Sequence, residues 1–153
     1  EIASCLVGSE MCIRDSPVPA GPSPPVPWDE GHMTVTLTIC TTCRAGQPQH
    51  EGVPCAGERL FAAVQAARPA GAPFALRPVA CLSACSQGCA LVLSAPGRWT
   101  YVYAGLAEAH APEIVAGATA YAAAPDGIVP WRDRSILFRK QTLARIPPAE
   151  ALP

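Results

Sequence analysis

Two β-forming runs, Thr34–Cys40 (TVTLTIC) and Phe74–Ala80 (FALRPVA), each lead directly into a cysteine cluster, and a helical segment lies between them. The first run alternates β-branched and apolar residues and delivers Cys40 to a loop, and the second delivers Cys81. CTTCRAGQPQHEGVPCAG, after the first run, is rich in Gly, Pro and polar residues without periodicity and reads as loop. Gly57–Arg68 then sets Leu60, Phe61, Val64 and Ala67 at helical spacing, and PAGAP ends that helix. A strand, a crossover helix and a parallel strand join right-handedly, so both strands end on the same edge of the sheet. Cys40 and Cys43 are therefore expected to meet Cys81 and Cys85 in space, provided that the two strands are parallel and close neighbours.

Beyond CLSACSQGC, the runs ALVLS and RWTYVYAGL flank the turn APG and predict a hairpin. From Glu108 to about Ala123 a second helix places Ile114, Val115, Ala118 and Tyr121 on one face, with Pro112 in its first turn. The predicted order is β-α-β-β-β-α, an α/β domain over residues 33–124 followed by a basic C-terminal tail over 125–153. No internal repeat is present.

Residues 1–32 are set apart as a leader. Leu6 to Asp15 back-translates without a gap into a sequence that resembles a transposase sequencing adapter, which makes Cys5 and Cys12 artefactual rather than a metal or disulfide pair. The segment lacks the basic start of a targeting signal, and SPVPAGPSPPVPWDEGH packs prolines too densely for helix or sheet. Met33 is the expected start. Setting aside one Arg and five acidic residues moves the formal net charge from −1 to +3. That excess is too small to argue for nucleic acid. No apolar run reaches the roughly 18–20 residues that cross a bilayer, so no membrane is expected and a cytoplasmic location is.

Six cysteines remain: Cys40, Cys43, Cys55, Cys81, Cys85 and Cys89. In a reducing compartment such clusters bind metal or do redox work more often than they cross-link a fold. Four thiolates at one sheet edge suit zinc or an iron-sulfur cluster. Structural zinc favours paired C-x2-C knuckles, whereas Cys81 and Cys85 are spaced C-x3-C among small residues, a pattern that suits a wider cluster. Either centre carries a net charge near −2 with its thiolates, which backbone N–H groups must offset. Gly46, Ser83, Ala84, Ser86 and Gly88 are small enough to let the main chain approach the sulfurs.

This element order, CLSAC after the second strand and the hairpin ALVLSAPGRWTYVYAGL are similar to the thioredoxin-like 2Fe-2S ferredoxins. More narrowly, TICTTCR, CLSACSQGCALVLSAPGRWTYVYAGL and YAAAPDGIVPWRDR resemble an uncharacterised bacterial family described as metal-binding proteins, over about Met33 to Pro148. The resemblance implies a thioredoxin-like fold and a 2Fe-2S cluster held by Cys81 and Cys85 with two thiols of the first loop, acting as a single-electron carrier. Thioredoxin-like ferredoxins draw their first two ligands from cysteines about a dozen residues apart, which favours Cys55 with Cys40 or Cys43. The short pair Cys40 and Cys43 needs no loop folding to converge and is preferred, with Cys55 in reserve. Cys89 is also in reserve: on a helix it would line up with Cys81 and Cys85, but as the opening of a strand it is a small buried residue. The resembled family's association with cobalamin and metal-homeostasis genes implies the alternative of a zinc-binding or metal-handling module.

An enzyme alternative is a dithiol oxidoreductase using CTTC. Its first thiol needs a helix N-terminus, whereas CTTCRAGQPQ runs into Gly and Pro. Otherwise no catalytic residue is expected. His50 and His110 stand alone as solvated residues, and Glu108 and Glu113 dress a helix start. Trp99, Tyr101 and Tyr103 alternate on one strand face as packing groups. Arg132, Arg134, Arg139, Lys140 and Arg145 stand against Asp133 alone in the tail, either as a surface-packed extension over Ile136, Leu137 and Phe138 or as a patch that steers an acidic redox partner protein.

Overall fold

The computed structural model describes residues 34–48, 50 and 52–149, so the adapter-like leader lies outside the described residues. Strand β1 (Val35–Cys40) leads through the first cysteine loop into helix α1 (Ala56–Ala67) and strand β2 (Phe74–Val79). A 3-10 turn at Cys85–Gln87 precedes the hairpin of β3 (Cys89–Ser94) and β4 (Thr100–Leu106). Another at Glu108–His110 opens onto α2 (Ala111–Ala123), with Pro112 in the first turn, where a missing N–H costs nothing. The chain then forms a short helix α3 (Ile136–Lys140) and strand β5 (Thr142–Ile146).

Among the described residues this is a small mixed α/β domain: a five-stranded mixed sheet in the order β2-β1-β3-β4-β5, with three α-helices. β1 and β2 are adjacent and parallel, with Cys40 opposite Val79. The β1–β3, β3–β4 and β4–β5 pairs are antiparallel.

Alternation along the strands decides which side is covered. Val35, Leu37 and Ile39 of β1 and Leu91 and Leu93 of β3 point into one core with Leu60 and Val64 of α1 and Ile114, Ala118 and Tyr121 of α2. On the opposite face, Ala90 and Ala104 are covered by Leu82 and Ala84 of the second cysteine loop, in a small separate cluster. That loop therefore folds back over the sheet rather than projecting from it.

The tail holds the element that the sequence analysis did not expect. Ser135 caps α3 by accepting from the Phe138 N–H at 3.3 Å. Phe138 packs edge-on against Tyr103, with ring centroids 4.5 Å apart, and against Gly117 of α2, where a Cβ would stand 2.2 Å from the ring. β5 then pairs with β4, and the guanidinium of Arg145 lies 4.3 Å from the centre of the Trp99 ring. Leu137 and Phe138 are buried, whereas Ile136 is exposed. Arg134 and Arg139 are likewise engaged within the domain, donating to the carbonyls of Val129 and Arg134 respectively.

Candidate functional site

The two cysteine loops lie side by side because the first is hydrogen-bonded to the end of β2. Past Cys40, Thr41 donates both its N–H (2.8 Å) and its hydroxyl (3.1 Å) to Val79 O. Thr42 repeats the pattern on Ala80 O, with its N–H at 3.2 Å and its hydroxyl on the same oxygen. The two Thr residues of CTTC thus extend the β1–β2 pairing by two residues and hold the first cysteine loop against the start of the second. Sequence reasoning gave them no role.

Helix α1 closes the first loop from the other side. Gly57 donates its N–H to Cys43 O at 2.9 Å, and a Cβ at Gly57 would lie 2.5 Å from Cys40 O and 2.8 Å from Thr41 O. Only glycine permits that approach. Cys55 is the N-cap of α1. Its thiol donates to Thr41 O at 2.8 Å, and its N–H goes to the Glu58 carboxylate at 2.8 Å.

Two thiols share one local design. The Ala45 N–H points at Cys43 Sγ (3.4 Å), and the Ser83 N–H points at Cys81 Sγ (3.2 Å), in each case from two residues further on. Ala45 (φ 50°) and Ser83 (φ 55°) are also the non-glycine residues with positive φ among those described. The left-handed conformation costs a non-glycine residue about 1–2 kcal/mol. At both positions that strained backbone accompanies an N–H turned back onto a sulfur. Of the five small residues expected to let amides approach, Ser83 makes such a bond. In the first loop the donor is Ala45, the neighbour of Gly46.

Titration follows this geometry. The Ser83 N–H holds the exposed Cys81 thiol below its ordinary range, with smaller help from the Ser83 hydroxyl and the thiols of Cys85 and Cys40 against a desolvation effect. Cys85, also exposed, is pushed upward, first by the negative charge of Cys81 and more weakly by Cys43 and Cys40. Cys89 opens β3 with no exposed surface. Burial, and then the nearby Cys43, push it up to about 12, so it is neutral at physiological pH. Cys40 and Cys43 are buried.

The thiols of Cys40, Cys43, Cys81 and Cys85 therefore occupy one neighbourhood at the joint end of β1 and β2, with the fully buried Cys89 at its inner side and the half-buried Cys55 at the start of α1. As placed, no three of the Cys, His, Asp or Glu side chains among the described residues converge on a point that would hold a single metal ion. Cys40 instead directs its thiol to Ala80 O at 3.5 Å. The donor set still suits a thiolate-bound centre: two sulfurs carry amide donors, and two more lie beside them. His50 and His110 take no part, His110 accepting the Ala107 N–H through Nδ1 at 3.1 Å.

A family model described as "Protein of unknown function (DUF1636)" matches residues 37–148, from the middle of β1 to just beyond β5. The chain belongs to the DUF1636 family. The matched span takes in both cysteine loops and also α3 and β5, so the DUF1636 domain includes most of the tail. Neither curated proteins nor solved structures give a match. No helix among the described residues is long and apolar enough to cross a membrane.

Proposed function

We propose that this DUF1636 domain is a cytoplasmic, cysteine-ligated metal-binding protein of thioredoxin-like architecture that carries a 2Fe-2S cluster and passes single electrons to a redox partner protein. The observation that carries this reading is the repeated N–H-to-sulfur turn at Cys43 and Cys81, on two loops held together by the Thr41 and Thr42 bonds. Cys40, Cys43, Cys81 and Cys85 would hold the cluster, two thiolates to each iron. When bound, the cluster supplies a one-electron couple. The protein's own contribution is to orient the four sulfurs, to offset their charge with the Ala45 and Ser83 amides, and to keep one edge, at Cys81 and Cys85, open to a partner. Convergence on one point is a requirement of a single ion, whereas a two-iron centre needs two pairs of thiolates a cluster's width apart.

Zinc is the second reading, because amides directed at cysteine sulfurs stabilise a four-thiolate zinc site equally well. A dithiol oxidoreductase is the third, supported by the exposed Cys81 with its lowered pKa beside Cys85.

Anaerobic purification followed by iron, sulfide and zinc analysis, with a visible spectrum before and after dithionite, separates the three. A coloured protein with two irons and two sulfides per chain that bleaches on reduction is expected, with its colour lost in Cys81→Ser and Cys85→Ser. Separate Cys43→Ser and Cys55→Ser variants identify the ligand of the first loop, since the variant that keeps the cluster marks the bystander. One bound zinc in a colourless protein refutes the electron carrier, and absence of any metal transfers the function to the dithiol.

A further inference from the structure

On the helix-covered side of the sheet, a cleft of about 110 Å³ opens between α2 and the 127–138 segment, floored by β3 and β4, and it shares no residue with the cysteine loops. It has room for a ligand no larger than a single ring with a small substituent. Its walls are aromatic. Tyr101 and Tyr103 are stacked with centroids 5.9 Å apart, and Phe138 stands edge-on to Tyr103. The α2 side offers small side chains at Ala116 and Ala120, flanked by Tyr121 and by the Glu113 carboxylate.

The polar groups in the cleft include unused donors. Arg134 spends two of its five N–H groups within the domain, Nε on Val129 O (2.7 Å) and Nη2 on the Tyr101 hydroxyl (3.2 Å), which fixes the plane of the guanidinium and leaves Nη1 available. The Tyr103 hydroxyl makes no hydrogen bond among the described residues, although the residue is only 5% exposed and lines the cleft. The Ser135 oxygen accepts from Phe138, so its hydroxyl hydrogen is unused. A phenol hydroxyl that no protein group engages can donate to a ligand, and a planar guanidinium held on one side is preorganised for a planar anion. Asp133 also lines the cleft but is exposed to solvent, where its charge is screened. Glu113 sits one turn of α2 before Gly117.

We propose that this cleft binds a small aromatic carboxylate, its ring lying against Tyr103 and Phe138 and its carboxylate bonded to Arg134 and the Tyr103 hydroxyl. The walls select a flat apolar body, and the donors select the anion. Neither feature depends on the cysteine centre.

Calorimetric titration of the full chain with benzoate tests this, with benzamide and benzylamine as the neutral and cationic analogues of the same size. Benzoate is expected to bind, and each analogue to bind at least about tenfold more weakly, the worth of one hydrogen bond to a charged group. Tyr103→Phe removes only the hydroxyl and should weaken benzoate by about tenfold, with an unchanged circular dichroism spectrum and unchanged metal content. Arg134→Lys keeps the charge and loses the planar fork, and should weaken it similarly. No binding of benzoate at millimolar concentration, equal binding of benzylamine, or undiminished binding by folded Tyr103→Phe overturns the proposal. Metal content reports separately on the cysteine site, so the two readings fail independently.

Discussion

At the scale of single residues, Ser83 does the most with the least. Its N–H lowers the Cys81 thiol, and the resulting negative charge is the main influence that raises Cys85. Metal-free protein should therefore be alkylated by iodoacetamide at Cys81 before Cys85, as peptide mapping over a pH series would show. Cys81→Ser should move the Cys85 labelling profile to lower pH; an unmoved profile would mean that the two thiols do not sense each other. Ser83→Pro removes the donor and forbids the positive φ, so it should shift Cys81 labelling to higher pH. Ser83→Gly keeps the N–H, loses the weaker help of the hydroxyl and relieves a strain of about 1 kcal/mol, so it should raise stability and shift Cys81 labelling to higher pH by less than Ser83→Pro does. Little of this was legible in the sequence. CLSAC advertises thiols, but the sequence does not reveal that Ser83 or Ala45 adopts a left-handed conformation, because serine and alanine show no preference for it and only the packed loop imposes it.

At the scale of elements, α1 and the first cysteine loop act as one unit through Gly57. Helix propensity alone makes Gly57→Ala stabilising by about 1 kcal/mol. The Cβ, however, would meet the Cys40 and Thr41 carbonyls, and overpacking of that kind costs about 1–3 kcal/mol. The expected sign is destabilisation in urea unfolding, together with reduced metal retention; a gain in stability would show that the loop yields freely. β1, α1 and the hairpin could be read from local periodicity because β1, β3 and β4 bury alternate residues under a helix, whereas β2, which buries only Phe74, was legible from its β-forming composition. β5 could not. Its side chains are half-buried or exposed, so it carries no alternation, and α3 is a five-residue helix, too short for a hydrophobic period. Cys55 as the N-cap of α1 was equally hidden, since Ser, Thr, Asp and Asn are the residues that announce that position.

At the scale of the whole molecule, the fold uses the two faces of its sheet differently. The helices bury one face, while the second cysteine loop covers part of the other, and Arg98 joins the hairpin to α2 on the helix side. Its Nη1 reaches the carbonyls of Tyr121, Ala122 and Ala124 at 3.3, 3.0 and 2.8 Å, which satisfies the C-terminus of α2. Tyr121 completes the tie by donating its hydroxyl to Trp99 O at 2.8 Å. Burial pushes this phenol up to about 12 from an ordinary value of 10.0, despite the opposing charge of Arg98. Because the folded value is the higher one, the stability it contributes is complete below pH 10 and is lost as pH rises through about 12. Tyr121→Phe should therefore lower stability at neutral pH by about 1–2 kcal/mol, through the stranded Trp99 carbonyl, yet lose less than the parent protein between pH 10 and 12. Tyr103, raised chiefly by burial, should preserve part of the alkaline slope in that variant. Urea unfolding midpoints measured on both proteins across that window provide the check: parallel pH profiles would show that Tyr121 ionisation does not govern the alkaline limit of this domain.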